Sequence, residues 1–484
     1  MTLSIRAVFY IFLVIFVEGY IVLSSELLAI RTLVPYVGSG TDTVSIIIAA
    51  VLLPLAAGYF SGGQWKPSLS GAAHNRTVRK KLGHNIFIAT IFLVLGLSFF
   101  SNAVIIEILM RTFSTDRLVI TTLFSLLFLV IPVYLLGQTT PLLSNFFSED
   151  KLSETTGKIL FVSTIGSFIG ATFTTLIFMS YIGVHNTVTL NIVLAALLLL
   201  SLSFKFRKEE TLIKSALLVM AAFFLNSNSM LKNADVVENN TYNLVMVKDI
   251  PEIDYKVITI NGSASSGLNS EGKPFEYVQF IEDTFISQIP PERQPANILI
   301  LGAGGFTIGL NDHINHYDFV DIDKTLLNVA ENHFLNGPLN ENKEFHPLPA
   351  RGFLNSTDKK YDLILIDIFF SQNSIPEHLV TREFLMQVRD ALKPDGIFTA
   401  NVIADPMGHD AFSVNIDATM RSVFPDVRAQ IIPKNYSPWK KHDLANLLYY
   451  SGNPLDTEVG KDITRSIYTD NLNRSYKDRP RDIK

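Results

Sequence analysis

The chain is predicted to fold as two domains of different class. An amino-terminal polytopic α-helical membrane domain of six or seven helices precedes a carboxy-terminal α/β domain that is introduced by a small β element. Three observations predict this. Of the 484 residues 48% are hydrophobic, and nearly all the long apolar runs lie before about residue 230. From about residue 240 the composition turns polar and short strand and helix patterns alternate, which implies a parallel sheet covered by helices. The stretch 297–323 then runs from an apolar strand through a glycine turn and a helix to a second strand that ends on acids.

The apolar runs occupy residues 7–34, 43–63, 84–109, 118–145, 159–183, 187–204 and 211–230, against the ~20 residues needed to cross a bilayer. The first is too long for a signal peptide and lacks a small-residue cleavage pattern, so it is expected to stay as a helix. The seventh is the weakest, because Lys214 interrupts it. Lys66, Arg76, Arg79, Lys80 and Lys81 form the strongest basic cluster between spans, which places that loop and the amino terminus in the cytoplasm. If 211–230 crosses, the second domain lies outside the cytoplasm; if it only lies along the membrane, that domain is cytoplasmic. The sequence is compatible with both, and the expected location is a multi-pass cell-membrane protein with domains 1–230 and 231–484.

Net charge −5 shows no basic excess, so nucleic acid is not an expected partner. With no cysteine there is no disulfide, thiolate nucleophile or cysteine metal site, and no metal site is expected. Within the first span Glu18, Glu26 and Arg31 read either as a polar pathway or as an interhelical brace. Gly166 and Gly170 place small residues one turn apart and allow close helix packing. The segment Gly137-Gln-Thr-Thr-Pro141 would loosen the fourth helix.

In the second domain, residues 240–262 read as two strands joined by a turn. Helices are expected at 277–289, 324–334 and 381–392, and strands at 297–302, 317–323 and 361–369. The turn Lys393-Pro-Asp-Gly396 should end the last helix before a strand that runs to Ile403. Gly302, Gly304 and Gly305 remove side chains where the first core strand turns, so that backbone can approach a ligand. Asp321 can accept two hydrogen bonds from a ribose diol. The spacing is shorter than in dinucleotide sites and the glycines do not spell GxGxxG, which favours a sulfonium nucleoside in a Rossmann-like domain. Asp367 shares the carboxyl edge of the sheet with Asp321. It opens into a glycine-free loop, Phe369 to Pro376, that is long enough to cover a site. Partial burial would raise its pKa and suit it as a base.

These segments resemble the spermidine/spermine synthase (polyamine aminopropyltransferase) family over about half the chain, and the whole chain looks like its membrane-integral branch. The resemblance rests on Thr241-Tyr-Asn243, INGSASS at 260–266, Phe275-Glu-Tyr277-Val-Gln279, GAGG at 302–305 and VDID at 320–323. It extends through ARGFL at 350–354, YDLILID at 361–367, LKPDG at 392–396 and Tyr468-Thr-Asp470, with SSELLAIRTLVPYVG in the first helix. It implies transfer of an aminopropyl group from decarboxylated S-adenosylmethionine to an amine, with Asp367 as the catalytic carboxylate. Asn243, Ser265, Gly302, Gly304, Gly305, Asp321, Arg351 and Gly352 would hold the nucleoside. Tyr242, Tyr277 and Gln279 would line the amine channel. No tightly bound cofactor is implied; the nucleoside is a co-substrate, and the partners are a small amine, the lipid bilayer and a second copy in a homodimer.

Departures from the family pattern all remove negative charge. Gly305 stands where the glycine loop carries an acid, Asp367-Ile-Phe-Phe370 lacks the second aspartate, the adenine-side acid is replaced around Pro349, and Asn243, Ser265 and Gln279 replace Gln and Glu contacts. A buried charged hydrogen bond is worth ~1.5–3 kcal/mol, so the expected acceptor is not standard putrescine. A methyltransferase using S-adenosylmethionine, a non-catalytic nucleoside or polyamine sensor, and a transporter with a regulatory domain are the alternative readings.

Overall fold

The structure, a computed structural model, describes residues 4–65, 72–147, 152–203, 208–369, 374–432, 444–451 and 466–479. The first half is a helical bundle: α1 (Ile5–Val37), α2 (Thr41–Gln64), α3 (Ala72–Leu97), α4 (Phe99–Thr112), α5 (Arg117–Ser125), α6 (Ile131–Gly137), α7 (Thr139–Ser144), α8 (Leu152–Phe173), α9 (Met179–Ser203) and α10 (Lys208–Leu225). Among the described residues, six stretches are long and apolar enough to cross a membrane. The longest, Glu154–Leu202, spans 49 residues and leaves helical geometry at Gly183 (φ 79°, ψ 166°).

That break turns one stretch into two passes. Tyr20 and Ser24 of α1 meet Thr174, so α8 and the turn after it climb alongside α1 in the same direction. Beyond Gly183 the direction reverses, since Ser25 accepts from Asn191 and Tyr10 meets Ser201 at 3.0 Å. Helix α10 also traverses the bundle, packing along α9 and α3, with the Lys214 ammonium over the Phe87 ring and Asn226 at the end of α3. The weak seventh run is therefore a helix that runs the length of the bundle, and the lysine that interrupts it lies in its first half.

Close packing of α1 on α8 depends on the small residues singled out in the sequence. A Cβ at Gly166 would overlap the Phe16 carbonyl oxygen, and one at Gly170 that of Tyr20. The run 84–109 proves to be two helices. Ser98 is extended (φ −68°, ψ 139°), and Asn226 compensates the break by accepting from Phe99 N–H at 2.8 Å and donating to the Ser98 hydroxyl at 3.1 Å. Gln138 separates α6 from α7, as the loosened segment 137–141 suggested, and accepts from Asn85 at 2.9 Å.

After α11 (Asn228–Asn233) comes a four-stranded antiparallel sheet, β1 (Val236–Asn239), β2 (Leu244–Ile250), β3 (Tyr255–Ile260) and β4 (Ser263–Asn269). The two strands expected within 240–262 are β2 and β3, and β1 and β4 flank them outside that range. The core domain follows with α12 (Glu276–Ile281), β5 (Asn297–Leu301), β6 (His316–Asp321), α13 (Leu326–Val329), β7 (Lys343–Pro347), α14 (Ala350–Ser356), β8 (Tyr361–Ile366), α15 (Arg382–Ala391), β9 (Leu392–Ala404), α16 (Ala411–Val423), β10 (Arg428–Ile432), β11 (Ala445–Tyr450) and α17 (Ser475–Asp478). The sheet order is β10-β11-β9-β8-β5-β6-β7.

Strands β9, β8, β5, β6 and β7 are parallel, and β11 runs antiparallel to both its neighbours, so the sheet is mixed rather than purely parallel. The Lys393–Gly396 turn signal falls inside β9. Tyr361 pairs with Leu392 while Leu363 pairs with Ile397, so the four residues bulge out of register and the strand continues past them. The all-buried pattern of β8 reflects its central place, covered on both faces.

The glycine contacts predict a sharp asymmetry along α8. Gly166→Leu should lower the thermal unfolding midpoint of the detergent-solubilised chain, with an overpacking cost on the order of 1–3 kcal/mol. Gly157→Leu, at a position with nothing within 4 Å of the added carbon, should leave it unchanged.

Candidate active site

The carboxyl ends of β5, β6 and β8 converge because the three strands lie side by side in the sheet. Chain reversal after β5 puts Gly302 at φ 100° and Gly304 at φ 52°, conformations that L side chains rarely adopt. At Gly302 a Cβ would also overlap the Asp367 carbonyl oxygen. Position 302 thus needs glycine for strand packing as well as for ligand approach. The Gly305 N–H is already spent, donating to the Ser266 hydroxyl at 2.9 Å, and its Cα faces the Phe334 ring.

Asp321 ends β6 and accepts from Ala303 N–H at 3.1 Å and from Asp323 N–H at 3.0 Å. Burial outweighs these bonds and pushes its carboxyl up to about 6. Asp323, two residues on, is buried in a net of amides. Asn240 donates to both its oxygens at 3.1 Å and Asn243 to one at 2.8 Å, while Asn261 donates to the Asn243 oxygen at 2.9 Å. Arg31 of α1 completes the chain by donating from Nε to the Asn240 carbonyl at 2.9 Å. Arg31 is therefore a brace between the domains. Glu18, on the same helix, is buried with no hydrogen-bond partner to either carboxylate oxygen.

Asp367 follows β8 and is held at both oxygens. The Tyr277 hydroxyl donates to one at 2.8 Å and Asn401 to the other at 2.9 Å, while its own N–H donates to Leu301 O at 2.8 Å. Desolvation again dominates, pushing the carboxyl up to about 6 against those two hydrogen bonds. Burial and the adjacent Asp367 charge hold the Tyr277 phenol protonated, well above its usual range.

Two cavities meet at Asp367. One, of about 390 Å³, is lined by the glycine turn, Asp321, Tyr242, Asn243, Ser265, Pro349 and Ala350. The other, of about 460 Å³, is lined by Ser265, Phe275, Glu276, Tyr277, Asn401 and Asn446. Ser39, Gly40 and Thr41, between α1 and α2, form part of the first cavity's wall. This loop is pinned to the α/β domain. Arg117 makes a bidentate pair with Asp42 at 3.0 and 2.7 Å and donates to Tyr476 O at 2.8 Å, and Thr41 donates to Glu377 at 3.1 Å.

Of the residues picked from sequence, Tyr242, Asn243, Ser265, Gly302, Gly304, Asp321 and Asp367 line the first cavity, and Tyr277 lines the second. Gly305, Arg351, Gly352 and Gln279 line neither. Arg351 pairs with Asp470 at 2.9 Å, and Gln279 donates to Pro274 O at 2.6 Å. In the Phe369–Pro376 loop, residues 370–373 lie outside the described residues. Sequence reading missed Asn240, Asp323, Asn401 and the 39–41 loop. Their polar residues are scattered over distant segments and form no local motif. Asp318, Glu344 and His346 offer ligand atoms within 4.8 Å of one another, but Asp318 is already satisfied by Lys359 at 2.6 Å, Tyr361 at 2.9 Å and His346 at 3.1 Å.

Residues 279–442 match the spermine/spermidine synthase domain. The chain is 35% identical over 167 residues to a polyamine aminopropyltransferase of Vibrio vulnificus, which covers 33% of this chain and 52% of that protein. It is 27% identical over 272 residues to a polyamine aminopropyltransferase of Oceanobacillus iheyensis, covering 51% of each. The chain spans about half the length of these curated relatives. Among solved structures, a probable spermidine synthase from Corynebacterium glutamicum aligns with TM-score 0.36 at 22% identity, over 43% of this chain and 76% of that one. These sequence matches make the carboxy-terminal domain similar to the spermine/spermidine synthase domain over residues 279–442.

A phenol that stabilises the Asp367 carboxylate should set the acid limb of any activity that uses it as a base. Tyr277→Phe removes a bond that lowers the Asp367 pKa, so that limb should move from about 6 to higher pH. At pH 6 kcat/KM should fall roughly tenfold, as expected for loss of one charged hydrogen bond. A pH–rate profile of the purified chain reads both effects.

Proposed function

We propose that the chain is a membrane-embedded aminopropyltransferase that moves an aminopropyl group from decarboxylated S-adenosylmethionine to an amine acceptor other than standard putrescine. The observation that carries this reading is the position of Asp367 between two cavities. One contains the glycine turn and Asp321, and the other contains Tyr277 and Glu276. Membrane embedding is supported by the six apolar stretches and by large apolar side chains left exposed on the bundle, such as Leu53, Phe60, Phe168 and Leu176.

In this reading Asp321 receives the ribose hydroxyls in the first cavity, beside the glycine turn. The acceptor lies in the second cavity with one nitrogen facing Asp367. Its lone pair attacks the aminopropyl carbon next to the sulfonium, the carbon–sulfur bond breaks, and the bonding electrons stay on sulfur to give methylthioadenosine. The nitrogen proton passes to Asp367, whose Tyr277 and Asn401 partners hold both oxygens in place. A carboxylate with a pKa near 6 is ionised at neutral pH and loses its function as a base below that value. In the amine cavity the described carboxylates are those of Glu276 and Asp367, which supports an acceptor that needs few anionic contacts.

Turnover with decarboxylated S-adenosylmethionine and a mixed amine pool, followed as methylthioadenosine by mass spectrometry, tests the reading. Product should require both an amine and Asp367, and Asp367→Asn should lower kcat by roughly 10²–10⁴-fold. Product that forms without an amine, or equally in Asp367→Asn, overturns it. Asp321→Asn should instead raise KM for the nucleoside by tenfold or so while kcat changes little, since that side chain would touch only the ribose.

A further inference from the structure

We infer that the nucleoside cavity opens on the non-cytoplasmic side of the membrane. The inference rests on the membrane-embedded reading above and adds the sidedness, which the chain trace and the charges determine together.

Among the described residues the α/β domain touches one end of the bundle. It meets the carboxyl end of α1 through Arg31, the amino end of α2 through Thr41, and the amino end of α5 through Arg117. It also meets the Gly183 bend, where Ser180 contacts Thr241, and it continues the chain from the carboxyl end of α10. Helices that start at this end finish at the other. The opposite end therefore carries the amino end of α1 beside the carboxyl end of α9, tied by Tyr10 and Ser201, and the α2–α3 junction, where Lys81 lies 4.9 Å over the Trp65 ring. Seven passes leave the amino terminus and the α/β domain on opposite faces.

Basic residues divide unequally between those faces. Arg6, Arg76, Arg79, Lys80, Lys81 and Lys158 belong to the far end. At the near end of the helical half, Arg31 and Arg117 are buried and bound to the α/β domain, Arg111 pairs with Glu107, and Lys232 is exposed in α11, which leaves fewer basic residues than at the far end. Excess Lys and Arg in short connections marks the cytoplasmic face, so the far end is cytoplasmic and the α/β domain is not.

A consequence follows for supply. A sulfonium nucleoside carries a fixed charge and does not cross the roughly 30 Å hydrocarbon layer unaided. Whatever nucleoside the site takes has to be delivered by a carrier or formed on that side.

The cysteine-free chain allows a direct test in intact cells producing the full-length protein. Lys80→Cys and Asp358→Cys, both at exposed positions, are treated separately with a membrane-impermeant maleimide before and after permeabilisation. Asp358→Cys should label in intact cells and Lys80→Cys only after permeabilisation. The reversed pattern, or labelling of both in intact cells, overturns the sidedness and leaves the aminopropyl reading to its own assay. Loss of the chain from carbonate-washed membranes overturns the membrane reading and this inference with it.

Discussion

Strands β5 and β8 lie so close at their carboxyl ends that a side chain at position 302 would overlap the Asp367 carbonyl oxygen. The rest of the site depends on that approach. It lets Asp367 N–H bond Leu301 O, brings the Asp367 carboxylate beside the glycine turn, and leaves Ala303 N–H positioned to hold Asp321. Two acids from different strands are thus referred to the same glycine turn, and a shift in β5 would move both.

Those acids are half-buried and, among the described residues, have no cationic partner of their own. Asp321 and Asp367 are both pushed up to about 6 by desolvation, although each accepts two hydrogen bonds. The raised carboxyl pKa means that the folded state binds protons more tightly than the unfolded chain, so the ionised acids oppose folding as pH rises through that range. A cationic ligand removes the conflict by favouring the ionised form, and its binding near pH 6 would release protons. The same burial that costs stability would favour a ligand of positive charge.

Much of this was legible in the sequence because it is local. A glycine turn, a strand ending in an acid, and the apolar run Leu363–Ile366 leading into Asp367 each announce themselves within ten or so residues. What was illegible depends on distant segments. Asp323 is satisfied by Asn240 and Asn243 from across the domain, and no spacing rule links those amides to it. Ser98 breaks an apolar run that hydropathy reads as continuous, because Asn226, 128 positions away, supplies the bonds the helix gives up. The bulge at Lys393–Gly396 shows the converse. The turn residues were read correctly, but pairing with β8 carried the strand through them.

The joint between the domains follows the same logic. Asp42 lies in the first turn of α2, where the helix dipole favours an acid, and its bidentate partner Arg117 is almost wholly buried. A Cβ at Gly40 would intrude on that pair. Buried ion pairs contribute less to stability than to fixing one geometry among several, because their desolvation offsets much of their attraction. Here the geometry fixed is that of the 39–41 segment, which walls the cavity beside the glycine turn, and α1 also reaches Asp323 through Arg31 and Asn240. The helical domain thus meets the site at two points, both at or near the carboxyl end of one helix. A change in the tilt of α1 would alter the cavity wall and the setting of Asp321 together, which makes the bundle a structural part of the site and not only its anchor.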